Sequence, residues 1–439
     1  MSSTQVDLII RRGTVLPMTA GTGLLPDTDI AVKGGKILAV GPHLDVQAAT
    51  EIDARGHAVL PGLVDAHMHE TLTRGICEDL PLDRWLSEVC FPLDRSYTHE
   101  IMLASAMMNQ AEMIRGGITT FIDIYRYPAA CAEIALQSGL RTILAPQIIS
   151  DPPLVGETVE SAEAFVSSWL GRSPLITPAF GPHAPYSCTP QDLQRIACLA
   201  GQYNVPIHTH LAETLWEVSI IKERYGLNPT QYYERQGLLT SRLSVAHGVH
   251  LSDAEINLLA ERKVVVVHNP TSNMKLSSGI SPVMKLRVAG VTVALGTDSN
   301  LSNNNLDMWE EMRLCSILQK LHTGDATAIT CQQAIEMATF EGARALGMAD
   351  KIGSLEPGKQ ADIILVDLEQ PHLWPLLEGK RNNILEQLVY SANAGDVSHT
   401  IVDGKVLMAD RVLKTLDMNE VREQVNTATH TLLAKAGLL

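Results

Sequence analysis

The chain is short of positive charge. It sets 34 Lys and Arg against 49 Asp and Glu, for a net charge of −15 over 439 residues, and has no Lys/Arg cluster. That argues against a nucleic-acid-binding surface. Long apolar runs are missing too. No stretch approaches the roughly 18 apolar residues of a membrane span. The start, Met1-Ser2-Ser3-Thr4-Gln5-Val6-Asp7, lacks the charged n-region and apolar core of a secretory signal. Cysteines are few, odd in number and scattered (Cys77, Cys90, Cys131, Cys188, Cys198, Cys315, Cys331), with no CxxC. A disulfide framework is disfavoured; free thiols in a reducing cytoplasm are expected. Aromatics make up only 4% of residues.

What is present is a pattern of alternating strand-like and helix-like runs. Eight strand-like runs are predicted at Val59–His67, Ile118–Ile124, Arg141–Ile148, Leu175–Ala184, Pro206–Leu211, Leu243–His250, Lys263–Pro270 and Val291–Asp298. Helix-like segments lie between them, such as His99–Arg115 and Thr189–Tyr203. This order predicts an α/β fold, a (β/α)8 TIM-type barrel, with a doubly wound sheet as the rival. Both chain ends read differently. Asp29–Val40 turns at Gly34-Gly35, Thr400–Met408 turns at Asp403-Gly404, and Ala361–Val366 is a further strand. We expect residues 1–60 and 358–418 to form one small β-sandwich, 61–357 the barrel, and 419–439 a C-terminal helix.

The predicted barrel strands end at His67, Asp123, Gln147, His183, His210, His247, His268 and Asp298. Barrel active sites lie at these C-terminal ends. Side chains alternate along a strand, so His67 and His69 share a face and can grip one ion. His208 and His210 also share a face, and spacing alone does not choose between them. Three imidazoles with Asp298 suit a divalent ion of the zinc type.

Five motifs, PGLVDAHMH, HTHLAET, VAHGVH, HNPTSNMKL and GTDSNLSNNN, occur in this order between the two terminal segments. Together they resemble the amidohydrolase superfamily, most nearly the branch of methylthioadenosine/S-adenosylhomocysteine deaminases and s-triazine hydrolases. The resemblance implies His67, His69, His210 and Asp298 as ligands and leaves His208 as a polar residue beneath the site. Some superfamily members bridge two metals with a carboxylated lysine. No lysine occurs here between Lys36 and Lys222. One divalent ion per subunit is therefore expected, zinc foremost and iron the alternative.

The resemblance also implies hydrolytic deamination. Glu213 would carry protons between water and substrate, His247 would hydrogen-bond the water or act as a weak metal ligand, with a polar core residue as the alternative, and Asp298 would accept the water's proton. Capping of the next helix is the alternative for Glu213. On the substrate side, scarcity of aromatics makes Trp85, in the long segment after the first strand, a candidate to line a planar heterocycle, with core packing as the alternative, and the resemblance points to His183 against a purine and to Asp94 against ribose. Arginines that take an amino-acid tail in the branch align with Pro146 and Thr158, so such a tail is disfavoured. Arg126 reads as a substitute for them or as a surface charge.

The expected activity is deamination of an amino-substituted purine or nucleoside, such as methylthioadenosine or adenosine. Hydrolysis of s-triazines, pterins or guanine-like bases is the second reading. A noncatalytic scaffold of the same fold is the third, disfavoured because no matched ligand is missing. The PCxxC signature of zinc cytidine deaminases is absent. The expected partners are a small aminoheterocycle and further copies of the chain.

Overall fold

A computed structural model describes residues 4–19, 21–76, 78–80, 82–153 and 157–439. Cys77, expected as a free thiol, lies outside them. At its centre is a closed ring of eight parallel strands. Leu63–His69 pairs with Ile118–Asp123, which pairs with Arg141–Leu144, which pairs with Ile176–Pro178. Gln147–Ile148 and Gly181–Pro182 continue the third and fourth strands as their own parallel pair. A parallel bridge from Phe180 to Ile207 joins the fourth strand to the fifth, Ile207–Leu211. Leu243–His247, Val265–His268 and Val293–Leu295 follow in order. Asp298–Ser299 then pairs with Met68 and His69, which closes the ring.

Several predicted strands are shorter or broken, each for a local reason. The first run divides at Gly62. His57–Pro61 pairs with Ile363–Asp367 in the terminal sheet, and Leu63–His69 opens the barrel. A Cβ at Gly62 would stand 2.0 Å from Thr119 Oγ1, so the joint needs glycine. Pro146, Pro178 and Pro182 lack the N–H that a ladder uses, and the third and fourth strands break around them. The eighth breaks at Gly296-Thr297 between its two pieces. Every residue of Leu63–His69 is buried, as in a strand covered on both sides.

The two chain ends build one nine-stranded sheet among the described residues. Its order is Val412–Leu413, Lys405–Ala409, Val397–Val402, Ile363–Asp367, His57–Pro61, Thr4–Val15, Leu25–Lys33, Lys36–Gly41, with Val46–Asp53 also on Thr4–Val15. The sheet curls, so that Lys36 forms a bridge with Gln360. Ile30 and Val32 of one half thereby share a core with Ile363, Leu365 and Ile401 of the other. The last helix, Met418–Ala436, packs on the barrel helix His99–Gly116. No helix among the described residues is long and apolar enough to cross a membrane.

The barrel is tied to the sheet at the N-terminal end of the third strand. Arg141 donates Nε and Nη2 to the two Asp362 oxygens at 2.9 and 3.1 Å, with side chains only 3% and 2% exposed. Asp403 N donates to the same carboxylate at 2.8 Å. Removing one partner of a buried pair strands the other charge. Arg141→Ala is expected to destabilise the protein by about 3–5 kcal/mol, read as a fall in Tm or denaturant midpoint. An unchanged midpoint would mean that water replaces the guanidinium without loss.

Candidate active site

His67 and His69 alternate with the apolar Ala66 and Met68 and end the first strand beside Asp298, whose backbone pairs with Met68. His210 comes from the fifth strand. His67 and His69 converge on Asp298, while His210 sits beside them and groups with His67 and His247 rather than with Asp298. Asp298 Oδ1 lies 3.6 Å from His67 Nε2 and 3.4 Å from His69 Nε2. His210 Nε2 lies 3.2 Å from His69 Nε2.

The protonation of these rings follows from their far sides. His69 Nδ1 donates to the Ile124 carbonyl at 2.5 Å, and His210 Nδ1 donates to the His183 carbonyl at 2.6 Å. Carbonyls only accept, so both protons sit on Nδ1 and both Nε2 atoms present bare lone pairs. Two lone pairs facing each other at that separation repel unless a cation lies between them. His67 Nε2 is also buried without a hydrogen-bond partner among the described residues. Its Nδ1 contacts His208 Nε2 at 2.8 Å, and His208 Nδ1 contacts Ser244 Oγ at 2.7 Å. Burial holds His67 neutral, lowering its pKa to about 4. Neutral imidazoles with their second nitrogens hydrogen-bonded, beside an ionised carboxylate, form a donor set that fits a divalent metal of the zinc type.

Asp298 is held in place by its neighbours. Ser272 Oγ donates to Oδ2 at 2.5 Å and Ser299 N to Oδ1 at 2.7 Å. Its φ of 64° is left-handed, as is the 74° of His247. Such strain in non-glycine residues collects at functional sites. Asp65, two residues before His67, accepts from Thr297 N at 3.0 Å and Thr297 Oγ1 at 2.5 Å, which pins the eighth strand to the first.

Glu213 stands at the rim. Its Oε2 is 3.9 Å from His247 Nε2, and Ser278 Oγ donates to Oε1 at 3.4 Å. It does not cap the following helix, Leu215–Tyr225. Thr214 does so, accepting from Glu217 N. Glu217 in turn accepts from the backbone of Ala212 and Glu213. His247 Nδ1 faces Asn273 Oδ1 at 2.9 Å. Burial opposes its charged form, yet the Glu213 and Asp298 carboxylates raise its pKa above the usual value.

The remaining predicted contacts divide. His183 lies with its ring 4.8 Å from that of His210 and its Nδ1 2.8 Å from Ser187 Oγ. Asp94 reaches the site through Tyr125, whose ring is 5.9 Å from His69. Trp85 is half-buried against the main core, and no described contact joins it to the histidines. Arg126 is not a surface charge: it is 2% exposed and paired with Asp94. Thr158 caps the helix Val159–Trp169.

Sequence reasoning overlooked Asp65, Ser272, Asn273 and Ser278. Their only signal was position: Asp65 two before an HxH, Ser272 and Asn273 inside the HNPTSN loop, and Ser278 five residues beyond it. It also overlooked a second buried group, Glu70, Asp123 and Cys131, behind the first strand. Glu70 N donates to Asp123 Oδ1 at 2.9 Å, and burial raises both carboxyl pKa values.

The model of the amidohydrolase family matches residues 58–407. The chain belongs to that family. A 5-methylthioadenosine/S-adenosylhomocysteine deaminase of Syntrophobacter fumaroxidans is 41% identical over 98% of this chain and 100% of its own. A zinc-bound adenosine deaminase from Xanthomonas campestris superposes with a TM-score of 0.94 at 36% identity, covering 99% of this chain and 100% of that one. Atrazine chlorohydrolase from Arthrobacter aurescens, complexed with zinc, superposes at 0.88 with 25% identity, over 97% of this chain and 100% of that one.

Gly296 is a tight joint in this family member's site. A Cβ there would lie 2.7 Å from both His67 N and His67 O, and 2.9 Å from Asn269 Nδ2. Backbone atoms cannot step aside, so Gly296→Ala is expected to cost about 1–3 kcal/mol and to shift His67. Dialysis against a chelator should then strip zinc from the variant faster than from the parent. Equal retention and equal Tm would show that the strand absorbs the methyl group.

Proposed function

We propose that the chain is a metal-dependent aminohydrolase that releases ammonia from an amino-substituted purine or nucleoside, such as methylthioadenosine or adenosine. The observation that carries this reading is the set of bare imidazole nitrogens around Asp298 with a carboxylate, Glu213, standing uncommitted at the rim. The names of the relatives support the substrate class.

His67, His69, His210 and Asp298 would hold one divalent ion per subunit, zinc foremost. When bound, that ion supplies a Lewis acid able to bring the pKa of water toward roughly 7. The chain's own groups do the rest. Asp298 and Glu213 take up the water's proton, and His247 orients the water. The water oxygen bonds to the ring carbon that bears the amino group. Glu213 passes the first water proton to the adjacent ring nitrogen, the new hydroxyl group gives up its proton through Asp298 to the amine, the carbon–nitrogen bond breaks to leave a ring carbonyl, and ammonia departs. His183 and Trp85 would hold the heterocycle, and Asp94 the sugar hydroxyls. The same groups would displace chloride from a triazine, the second reading, which the likeness to atrazine chlorohydrolase supports. The reading carries a small-molecule partner, a cytoplasmic setting and a homo-oligomer; the acidic net charge and free cysteines accord with the setting.

Ammonia release across purines, nucleosides, pterins and triazines tests the substrate class. Nucleosides are expected to lead. Fast triazine or pterin turnover with no nucleoside turnover would transfer the assignment to the second reading. Glu213→Gln is expected to lower kcat by at least about a hundredfold while metal content stays at the parent level. A near-normal rate would remove Glu213 from the proton path. Elemental analysis of reconstituted protein is expected to find one ion per chain; two ions, both needed for activity, would defeat the mononuclear assignment.

A further inference from the structure

Asp94 is held from two sides. Tyr125 donates its hydroxyl to Oδ1 at 2.6 Å, and Arg126 donates Nη2 to Oδ2 at 3.1 Å. The donors follow the second barrel strand, whereas Asp94 ends a short helix, Phe91–Asp94, in the long connection after the first. The contacts therefore join two loops at the C-terminal face of the barrel. Tyr125 and Arg126 are 4% and 2% exposed, but the Asp94 side chain keeps 17%. Asp94 is thus the member of the trio that meets open space, and its neighbour Tyr125 stands edge-on to the ligand-set residue His69.

Burying a guanidinium is expensive, and an apolar filler would serve packing as well or better. The pair makes sense as a device for aiming a carboxylate. Each carboxylate oxygen has two lone pairs, and Tyr125 and Arg126 engage one on each. The second pair on each oxygen remains for two adjacent hydroxyl donors.

We propose that Arg126 and Tyr125 are positioning residues that aim Asp94 at the vicinal hydroxyls of a ribonucleoside, and so set the preference for ribose over a sugar lacking them. This rests on the nucleoside reading above. It also gives Arg126 a role other than a receptor for a carboxylate tail, because its charge is matched by Asp94.

The test measures kcat and KM for adenosine and 2′,3′-dideoxyadenosine on the full-length, zinc-loaded protein and its variants. The parent is expected to favour adenosine in kcat/KM by about ten- to a hundredfold, the range for losing hydrogen bonds to a charged group. Asp94→Ala should abolish that preference. Arg126→Gln should reduce it about tenfold, chiefly through KM, and Arg126→Lys should restore part of it. Tyr125→Phe leaves the ion pair intact, guards against misfolding as the explanation, and should reduce the preference several-fold.

If Arg126→Gln and Tyr125→Phe lower both substrates equally, or leave the preference at the parent value, the positioning role is overturned; collapse in Asp94→Ala would still uphold the sugar contact. A parent without preference overturns the sugar contact and the positioning role together, while ammonia from adenosine would leave the deaminase reading standing. No turnover of any nucleoside removes that reading and the proposal with it.

Discussion

A carbonyl oxygen can only accept a hydrogen bond, and at Ile124 and His183 that fact decides the state of two imidazoles. Each carbonyl takes the Nδ1 proton of a strand-end histidine, His69 or His210. The bare Nε2 atoms then face each other 3.2 Å apart beside Asp298. Without a cation this arrangement is repulsive; with one it is a binding site. Each carbonyl lies just past the end of the barrel strand next to its histidine's, the second beside the first and the fourth beside the fifth. The geometry that would hold a metal is therefore part of the barrel itself.

The rest of the site serves that constraint. Closing the ring requires the eighth strand to pass against His67, which is why Gly296 has no room for a side chain. Asp65 holds Thr297, and Ser272 and Ser299 hold Asp298 in its left-handed conformation. His208 braces His67 from below. At the rim the demands relax. The Glu213 carboxylate accepts one long hydrogen bond, from Ser278, and leaves helix capping to Thr214, as suits the proton-carrying role proposed for it.

Much of this was legible in the residues. β-Branched apolar runs ending in histidine or aspartate announced the barrel strands, and alternation put His67 and His69 on one face. Other features depend on tertiary context. A proline or glycine within an apolar run marks a possible break, but Pro146, Pro178, Pro182 and Gly296 act as breaks only because the barrel continues past them. Spacing alone left His208 and His210 equal; what separates them is the partner of each ring, a carbonyl and His69 for His210 against His67 Nδ1 and Ser244 Oγ for His208. Arg126 was ambiguous because burial of an arginine is decided by its partner, Asp94, 32 residues away. Trp85 illustrates the reverse: scarcity of aromatics made it a candidate for the site, and its half-buried place against the core fits a packing role as well as the substrate contact proposed for it.

X-ray absorption at the zinc edge of the zinc-loaded protein tests the central claim most directly. The account predicts a first shell of nitrogen and oxygen only, with outer-shell imidazole scattering from three histidines, lost in part in a His210→Ala variant. A zinc–sulfur shell near ~2.3 Å would contradict it, because that ligand is absent from the His67–His69–His210–Asp298 set and present at Cys131, beside Glu70 and Asp123.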